Sequence, residues 1–422
     1  MSVIKNKEIL ATTMLRTQAL EIVESGLVSI DTGARIRDIV HLENGLLTIG
    51  ANTFPLHTYK SIHIIGFGKA SSRAAQALEE VLGDTLTGGI VLDKTPLVCR
   101  LVSVYQGAHP EPTAHNVEIS DKIATLAKSL TDDDLAIVVV SGGGSSLLCW
   151  PASECDQGSK LYEAFLHAGG TINELNMLRK HLSGMKGGGL AELLYPATVV
   201  GLIFCDVPGE HYDVVASGPT YYDQTTADQA QALLEKYGIK ESFNFTETPK
   251  DQKFFEHVHN VPVVSNIHAM TAMAKKAAAL GYTVHTIGSE VYDTPEKVID
   301  KLLQAKTPNS VVIGAGEPRM VIPSTGGGLG GRNEYISSLM INSIPDDSVF
   351  VSYASDGIDN CSEAAGAIID NEIKEKSKTL EKPIEDYLKN YQHDDLMIAL
   401  GSQIITGSTE SNVSDLFFLI QS

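Results

Sequence analysis

Positive charge is scarce in this chain, with 32 Lys+Arg against 52 Asp+Glu and a net charge of −20 over 422 residues. Such a surplus opposes general attraction to nucleic acid or to an anionic membrane, and neither is expected as a partner. No apolar run approaches the roughly 18 residues of a membrane span, and the opening MSVIKNKEIL carries no secretory h-region. Cysteines are few and scattered (Cys99, Cys149, Cys155, Cys205, Cys361), without C-x-x-C spacing, which fits buried thiols in a reducing compartment. A cytoplasmic location is therefore expected. Also missing are any internal repeat of about 20 to 50 residues, the Walker signature G-x-x-x-x-G-K-[ST] and the protein-kinase motif set. What remains is an ordinary globular composition, 43% hydrophobic and 20% charged, in a chain long enough for two domains.

The chain is organised around Ala136–Pro151, AIVVVSGGGSSLLCWP. Ala136 to Val140 has no polar alternation, as expected of a parallel-sheet strand buried on both faces. It runs into Ser141, Gly142, Gly143, Gly144, Ser145 and Ser146, and then a helix start at Leu147. Such a loop lets backbone N–H groups approach an anion closely, although a glycine-rich turn that binds nothing is the plain alternative. A second buried strand, Ser61–Ile65, delivers Gly66-Phe-Gly68-Lys69-Ala-Ser71 into a helix, and Gly88–Asp93 is the next strand, completing a βαβ unit. Asp93 lies where a ribose-binding acid would fall in a dinucleotide site. Ser71, however, replaces the third glycine of that fingerprint, and Lys69 puts a cation where bare backbone is usual.

Farther on, Gly107–Pro112 (GAHPEP) reads as a rigid loop, its His109 either functional or a structural donor. Arg179, Lys180, His181 and Lys186 form a basic run ahead of Gly187–Gly189, which reads as an anion pocket or, failing that, a solvated helix face. Strand Thr198–Phe204 ends at Asp206, a magnesium-ligand candidate, and Ala216–Thr220 is another small-residue loop. The polar stretch at about 240–255 suggests the boundary between domains spanning 1–245 and 246–422. Beyond it, strand Ser310–Gly314 brings Gly316 and Glu317 to a strand end. The loop Gly326–Glu334 carries Gly331, Arg332 and Asn333 into a helix, and strand Ser348–Tyr353 ends near Asp356 and Asp359, further metal candidates. A final strand covers Asp415–Ile420. Cations in glycine loops and aspartates at strand ends suit an enzyme acting on phosphate or a small carboxylate.

Several of these stretches resemble the class II, MOFRL-containing glycerate kinases: GFGKAS from Gly66, GAHPEP from Gly107, SGGGSSLL from Ser141, LNMLRKHLSGMKGGGLA from Leu175, CDVPGE from Cys205, ASGPT from Ala216, GGRNEY around Arg332 and SDGIDN from Ser355. The resemblance implies an α/β fold of two domains with largely parallel, Rossmann-like sheets flanked by helices, and an active site in the interdomain cleft. It also implies ATP- and Mg2+-dependent phosphorylation of D-glycerate, usually at the 2-hydroxyl, by a monomer or homodimer whose partners are small molecules. Lys69 and Arg332 match the family's motif lysine and arginine, which makes them the catalytic cations. Asp206, Asp356 or Asp359 would hold magnesium or orient the substrate hydroxyl. Gly68, the Ser141–Ser146 loop, Arg179, Lys180, Lys186, Gly316, Glu317, Gly331 and Asn333 would seat substrate and nucleotide. The sequence departs from the family at TGSTESN (from Thr406), at CDVPGE and at SDGIDN, and no departure removes a motif cation or a strand-end aspartate. An NAD(P)H-dependent hydroxypyruvate reductase, phosphorylation at the 3-hydroxyl and a non-catalytic sensor remain the rival readings.

Overall fold

The computed structural model describes residues 2–320 and 328–422. They form two compact units, one of residues 32–207 and 211–263, the other of residues up to 31, 208–210 and 264–422.

The first unit opens with a small antiparallel sheet of β1 (Val40–Glu43), β2 (Leu46–Ile49) and β3 (Asn52–Pro55). Its main sheet holds β4 (Ser61–Phe67), β5 (Gly88–Asp93), β6 (Val102–Gln106), β7 (Asp134–Val140), β8 (Thr198–Phe204) and β9 (Val258–Val264), in the order β6-β5-β4-β7-β8-β9. The pairs from β6 to β8 are parallel. As its unbroken apolar run predicts, all seven residues of β7 are buried. Ile65, Val138, Val140 and Ile203 pack with Ile119 and Ile123 of the helix Ala114–Ser129 and with Leu190 of the helix Gly189–Leu194. Because Phe67 pairs with Val140 and Val140 with Ile203, the loops leaving β4, β7 and β8 emerge side by side at one edge. That is where open α/β sheets bind ligands.

The second unit contains β10 (Thr283–Val291), β11 (Ser310–Gly316), β12 (Ser348–Ala354), β13 (Gly366–Asp370), β14 (Gln403–Ile404) and β15 (Asp415–Gln421), ordered β10-β11-β15-β12-β13-β14. Here the sheet is mixed. β10 and β11 are parallel, β15 inserts between β11 and β12 antiparallel to both, and β12–β13 and β13–β14 are also antiparallel. Val312, Phe350, Phe417 and Leu419 form the core with Ile336 and Met340 of the helix Arg332–Ser343.

The domain change expected at 245/246 falls at 263/264. The polar stretch after 240 is a surface segment that folds back, its Thr246 N–H donating to the His181 carbonyl at 2.8 Å, and β9 then joins the first sheet. The first 31 residues belong to the second unit. Their helix Met14–Ser29 is fixed there by Arg16, whose Nε and Nη2 donate to Asp370 at 2.5 and 2.7 Å in a buried bidentate pair. Among the described residues, no helix is long and apolar enough to cross a membrane.

Candidate active site

In the first unit, three loops at the carboxyl edge of the sheet are pinned to one another. The Lys69 N–H donates to the Gly142 carbonyl at 2.9 Å, and the Ala70 N–H to Ser141 Oγ at 3.2 Å. Ser141 is therefore a buried tie between loops, and Gly68 lies so close that an added Cβ would come within 2.2 Å of Ser141 Oγ. Gly142 has backbone where any side chain would sit on Asp206, since a Cβ there would lie 2.2 Å from Asp206 Oδ2. Gly143 is left-handed (φ 80°), and its open face is walled by the His109 ring and the Lys69 stem, 3.0 and 3.4 Å from where a Cβ would be. Lys69, His109 and Asp206 thus gather about two adjacent glycines.

Their electrostatics differ. Burial raises the Asp206 carboxyl above the usual carboxylate range, and the Lys69 ammonium opposes that rise. Burial also pushes the His109 imidazole down to about 4, helped by the cations of Lys69 and Lys94, so the ring is neutral at pH 7. Beside them, Ser145 Oγ lies 3.0 Å from Ser217 Oγ, and Ser146 Oγ donates to the Gly143 carbonyl at 3.2 Å. Gly144 packs against Ala216. Ala216, Ser217 and Gly218 are all left-handed (φ 48°, 62° and 64°), which for the two non-glycine residues costs about 1–2 kcal/mol each. The carbonyls of Ser217 and Gly218 accept from the N–H groups of Gly187 and Gly188, both at 2.9 Å, tying the second glycine run to this loop.

The basic run is mostly engaged within the chain. Lys186 is buried, its Nζ paired with Glu154 and donating to the Leu148 carbonyl at 2.8 Å. Lys180 Nζ pairs with Asp223 Oδ1 at 3.1 Å, and the buried His181 ring meets the Thr246 carbonyl and the Thr225 hydroxyl. For Lys180 and Lys186 the anion-pocket expectation is corrected, because carboxylates of this chain neutralise both. Arg179 stands over the Tyr162 ring at 5.6 Å.

In the second unit, Arg332 begins a helix and is held by a strand start. Its Nε donates to Asp415 Oδ2 at 2.7 Å, and its Nη2 lies 3.6 Å from Glu317 Oε1. Despite burial, these carboxylates raise the guanidinium's hold on its proton. The register explains the contact, since Asp415 pairs with Gly316 on β11 and with Ala354 on β12. Asn333 Nδ2 donates to Asp415 at 2.9 Å and to Asp359 at 3.0 Å. Asp359 also accepts the N–H groups of Asn333 and Glu334, at 3.2 and 2.8 Å. It is thus a helix-capping carboxylate pressed against Gly331, whose oxygens are occupied by donors of the helix start rather than turned to a metal. Burial, then the Asp415 charge, pushes it up to about 7. Asp415 itself rises to about 6 by burial, opposed by Arg332. Asp356 Oδ1 accepts the Ile358 N–H at 3.2 Å. Gly326 and Gly327 of the glycine loop lie outside the described residues.

Among the described residues, no three His, Cys, Asp or Glu side chains cluster closely enough to hold a metal unaided. Magnesium in phosphoryl-transfer sites usually takes only one or two carboxylates beside the substrate's own phosphates. Asp206, with no neighbouring side chain donating to it among the described residues, suits that role.

Residues 18–248 match the family described as domain of unknown function DUF4147, and residues 310–415 match the MOFRL family. A D-glycerate 2-kinase of Thermotoga maritima is 31% identical over 86% of this chain and 91% of its own. This chain belongs to the MOFRL-containing glycerate kinase family. A protein of Agrobacterium vitis, provisionally named a hydroxypyruvate reductase, is 32% identical over 84% of this chain and 97% of its own. The crystal structure of a glycerate kinase from Thermotoga maritima superposes with a TM-score of 0.83 at 28% identity, covering 96% of this chain and 99% of that one.

For this member of the glycerate kinase family, sequence reasoning missed Asp415, which opens an otherwise apolar strand. An acid at that position, following a polar loop, was the available signal. It also missed Glu154 and Asp223, the acids that neutralise the basic run.

Proposed function

We propose that this protein transfers the γ-phosphoryl group of ATP to D-glycerate at its 2-hydroxyl. The observation that carries the reading is Lys69, fixed by its own N–H to Gly142 beside the Asp206 carboxylate. A cation at a glycine-lined strand end stabilises charge on a transferring phosphoryl group, and an adjacent carboxylate with raised proton affinity suits a hydroxyl that must lose its proton. In the step, the glycerate oxygen forms a bond to the γ-phosphorus while the bond to the bridging oxygen breaks. ADP departs and the hydroxyl proton passes to Asp206. Lys69 and Arg332 neutralise the phosphoryl oxygens, Arg332 with its guanidinium oriented by Asp415. Arg179 and the N–H groups of Gly142, Gly143 and Ser145 in the Ser141–Ser146 loop receive anionic groups of the ligands, those of Ser141, Gly144 and Ser146 being engaged within the chain. Magnesium would be held together with the nucleotide by Asp356, or by Asp206 if the hydroxyl proton leaves to solvent instead, and would supply further neutralisation of phosphate charge.

The test incubates purified protein with D-glycerate, ATP and magnesium, locates the phosphate by NMR, and repeats the reaction with a chelator. The expected outcome is 2-phosphoglycerate and ADP, abolished by chelation. Hydroxypyruvate with NADH or NADPH, run in parallel, should leave nicotinamide absorbance unchanged. Nicotinamide oxidation without ATP turnover would overturn the kinase reading.

A further inference from the structure

Asp206 and His109 flank consecutive residues of one loop, the carboxylate against Gly142 and the imidazole against Gly143. Glycerate presents hydroxyls on consecutive carbons. One of them loses a proton to become the phosphoryl acceptor, and the other has to be recognised without reacting.

His109 suits the second task. Its ring is half-buried against Gly143, on the side where the Lys69 stem also lies, and among the described residues neither ring nitrogen has a hydrogen-bond partner. It is ill suited to the first task, since burial, and after it the ammonium groups of Lys69 and Lys94, oppose a second proton on the ring. Nor does it carry a charge to attract carboxylate or phosphate. A neutral imidazole offers one N–H donor and one nitrogen acceptor, the complement of a hydroxyl, which also donates once and accepts. A site built to hydrogen-bond a hydroxyl rejects an analogue lacking it far more strongly than an apolar pocket could.

We infer that His109 is the specificity-determining residue for glycerate, hydrogen-bonding the hydroxyl that is not phosphorylated. This rests on the glycerate kinase reading.

Two analogues separate the hydroxyls, because D-lactate keeps only the 2-hydroxyl and 3-hydroxypropionate only the 3-hydroxyl. The experiment measures kcat/KM for D-glycerate, and the inhibition constant of each analogue against D-glycerate, for the unmodified protein, His109→Ala and His109→Asn. In His109→Ala, kcat/KM for D-glycerate should fall about ten- to a hundredfold. Inhibition by the analogue that keeps the non-phosphorylated hydroxyl should weaken similarly, while the other analogue should stay within about threefold. His109→Asn keeps a donor and an acceptor and should recover part of the loss. Equal weakening of both analogues, or no change in either, would overturn the assignment while leaving the kinase intact. An unmodified protein that does not phosphorylate D-glycerate would overturn the functional reading, and this assignment with it.

Discussion

Asp415 grips Arg332 through Nε at 2.7 Å, from a strand position that faces Gly316 on one side and Ala354 on the other. The cation therefore takes its direction from the middle of a sheet rather than from its own loop. Asp415→Asn should lower kcat/KM about ten- to a hundredfold through misdirection of the guanidinium, while the melting temperature stays within a few degrees. Arg332→Lys should be at least as damaging, since an ammonium cannot reproduce a planar, directed grip. Steady-state kinetics with thermal melts checks both, and wild-type turnover in Asp415→Asn would show that Arg332 needs no guide.

Lys69 contributes to no core and has no ion pair among the described residues, so its loss should separate chemistry from folding. Lys69→Ala is expected to reduce kcat by at least ~10²-fold at an unchanged melting temperature. A variant that turns over normally would remove Lys69 from the mechanism.

The Lys186–Glu154 pair predicts the opposite pattern. Removing one member of a buried pair leaves the other charge unpaired, so Lys186→Ala should cost about 3–5 kcal/mol of stability. Urea unfolding reads this directly. Full stability with a raised KM for glycerate or ATP would instead restore Lys186 to an anion site.

Stability of the second unit should also depend on pH. Burial raises Glu334 from 4.5 to about 8, with Asp359 and Asp394 adding to the rise and Gln403 opposing it. The folded chain then holds a proton that the unfolded chain releases above about pH 4.5. This contribution is fully present below that pH and is lost progressively as pH rises to about 8. Melting temperatures should accordingly fall across this window, and Glu334→Gln should flatten the slope. An identical slope in the variant would assign the pH dependence to other groups.

Features carried by local pattern were legible before the structure. Ala136–Val140 announced a fully buried strand by lacking polar alternation, and Lys69 and Asp206 were visible as charges at strand ends. Features carried by long-range pairing were not. Arg16 meets Asp370 across 354 positions, and no local signal assigns the first 31 residues to the second unit. Lys186 and Glu154 are 32 positions apart, so a neutralised cation read as an available one. The antiparallel insertion of β15 is likewise a fact of register, and it alone brings Asp415 to Arg332.

That insertion also sets an order of events during synthesis. The strand between β11 and β12 in the second sheet is built from residues 415–421, so these two have no partner between them until that segment leaves the ribosome. The helix at residues 14–29 meanwhile lacks the Asp370 carboxylate that Arg16 grips. All the strands of the first sheet, by contrast, lie before residue 265. Contacts of such sequence separation form slowly and leave apolar strand surface open in the interval. Arg332 acquires its orienting carboxylate only with the closing of that last strand, so a nascent chain would hold Lys69 in place well before it could act as a kinase.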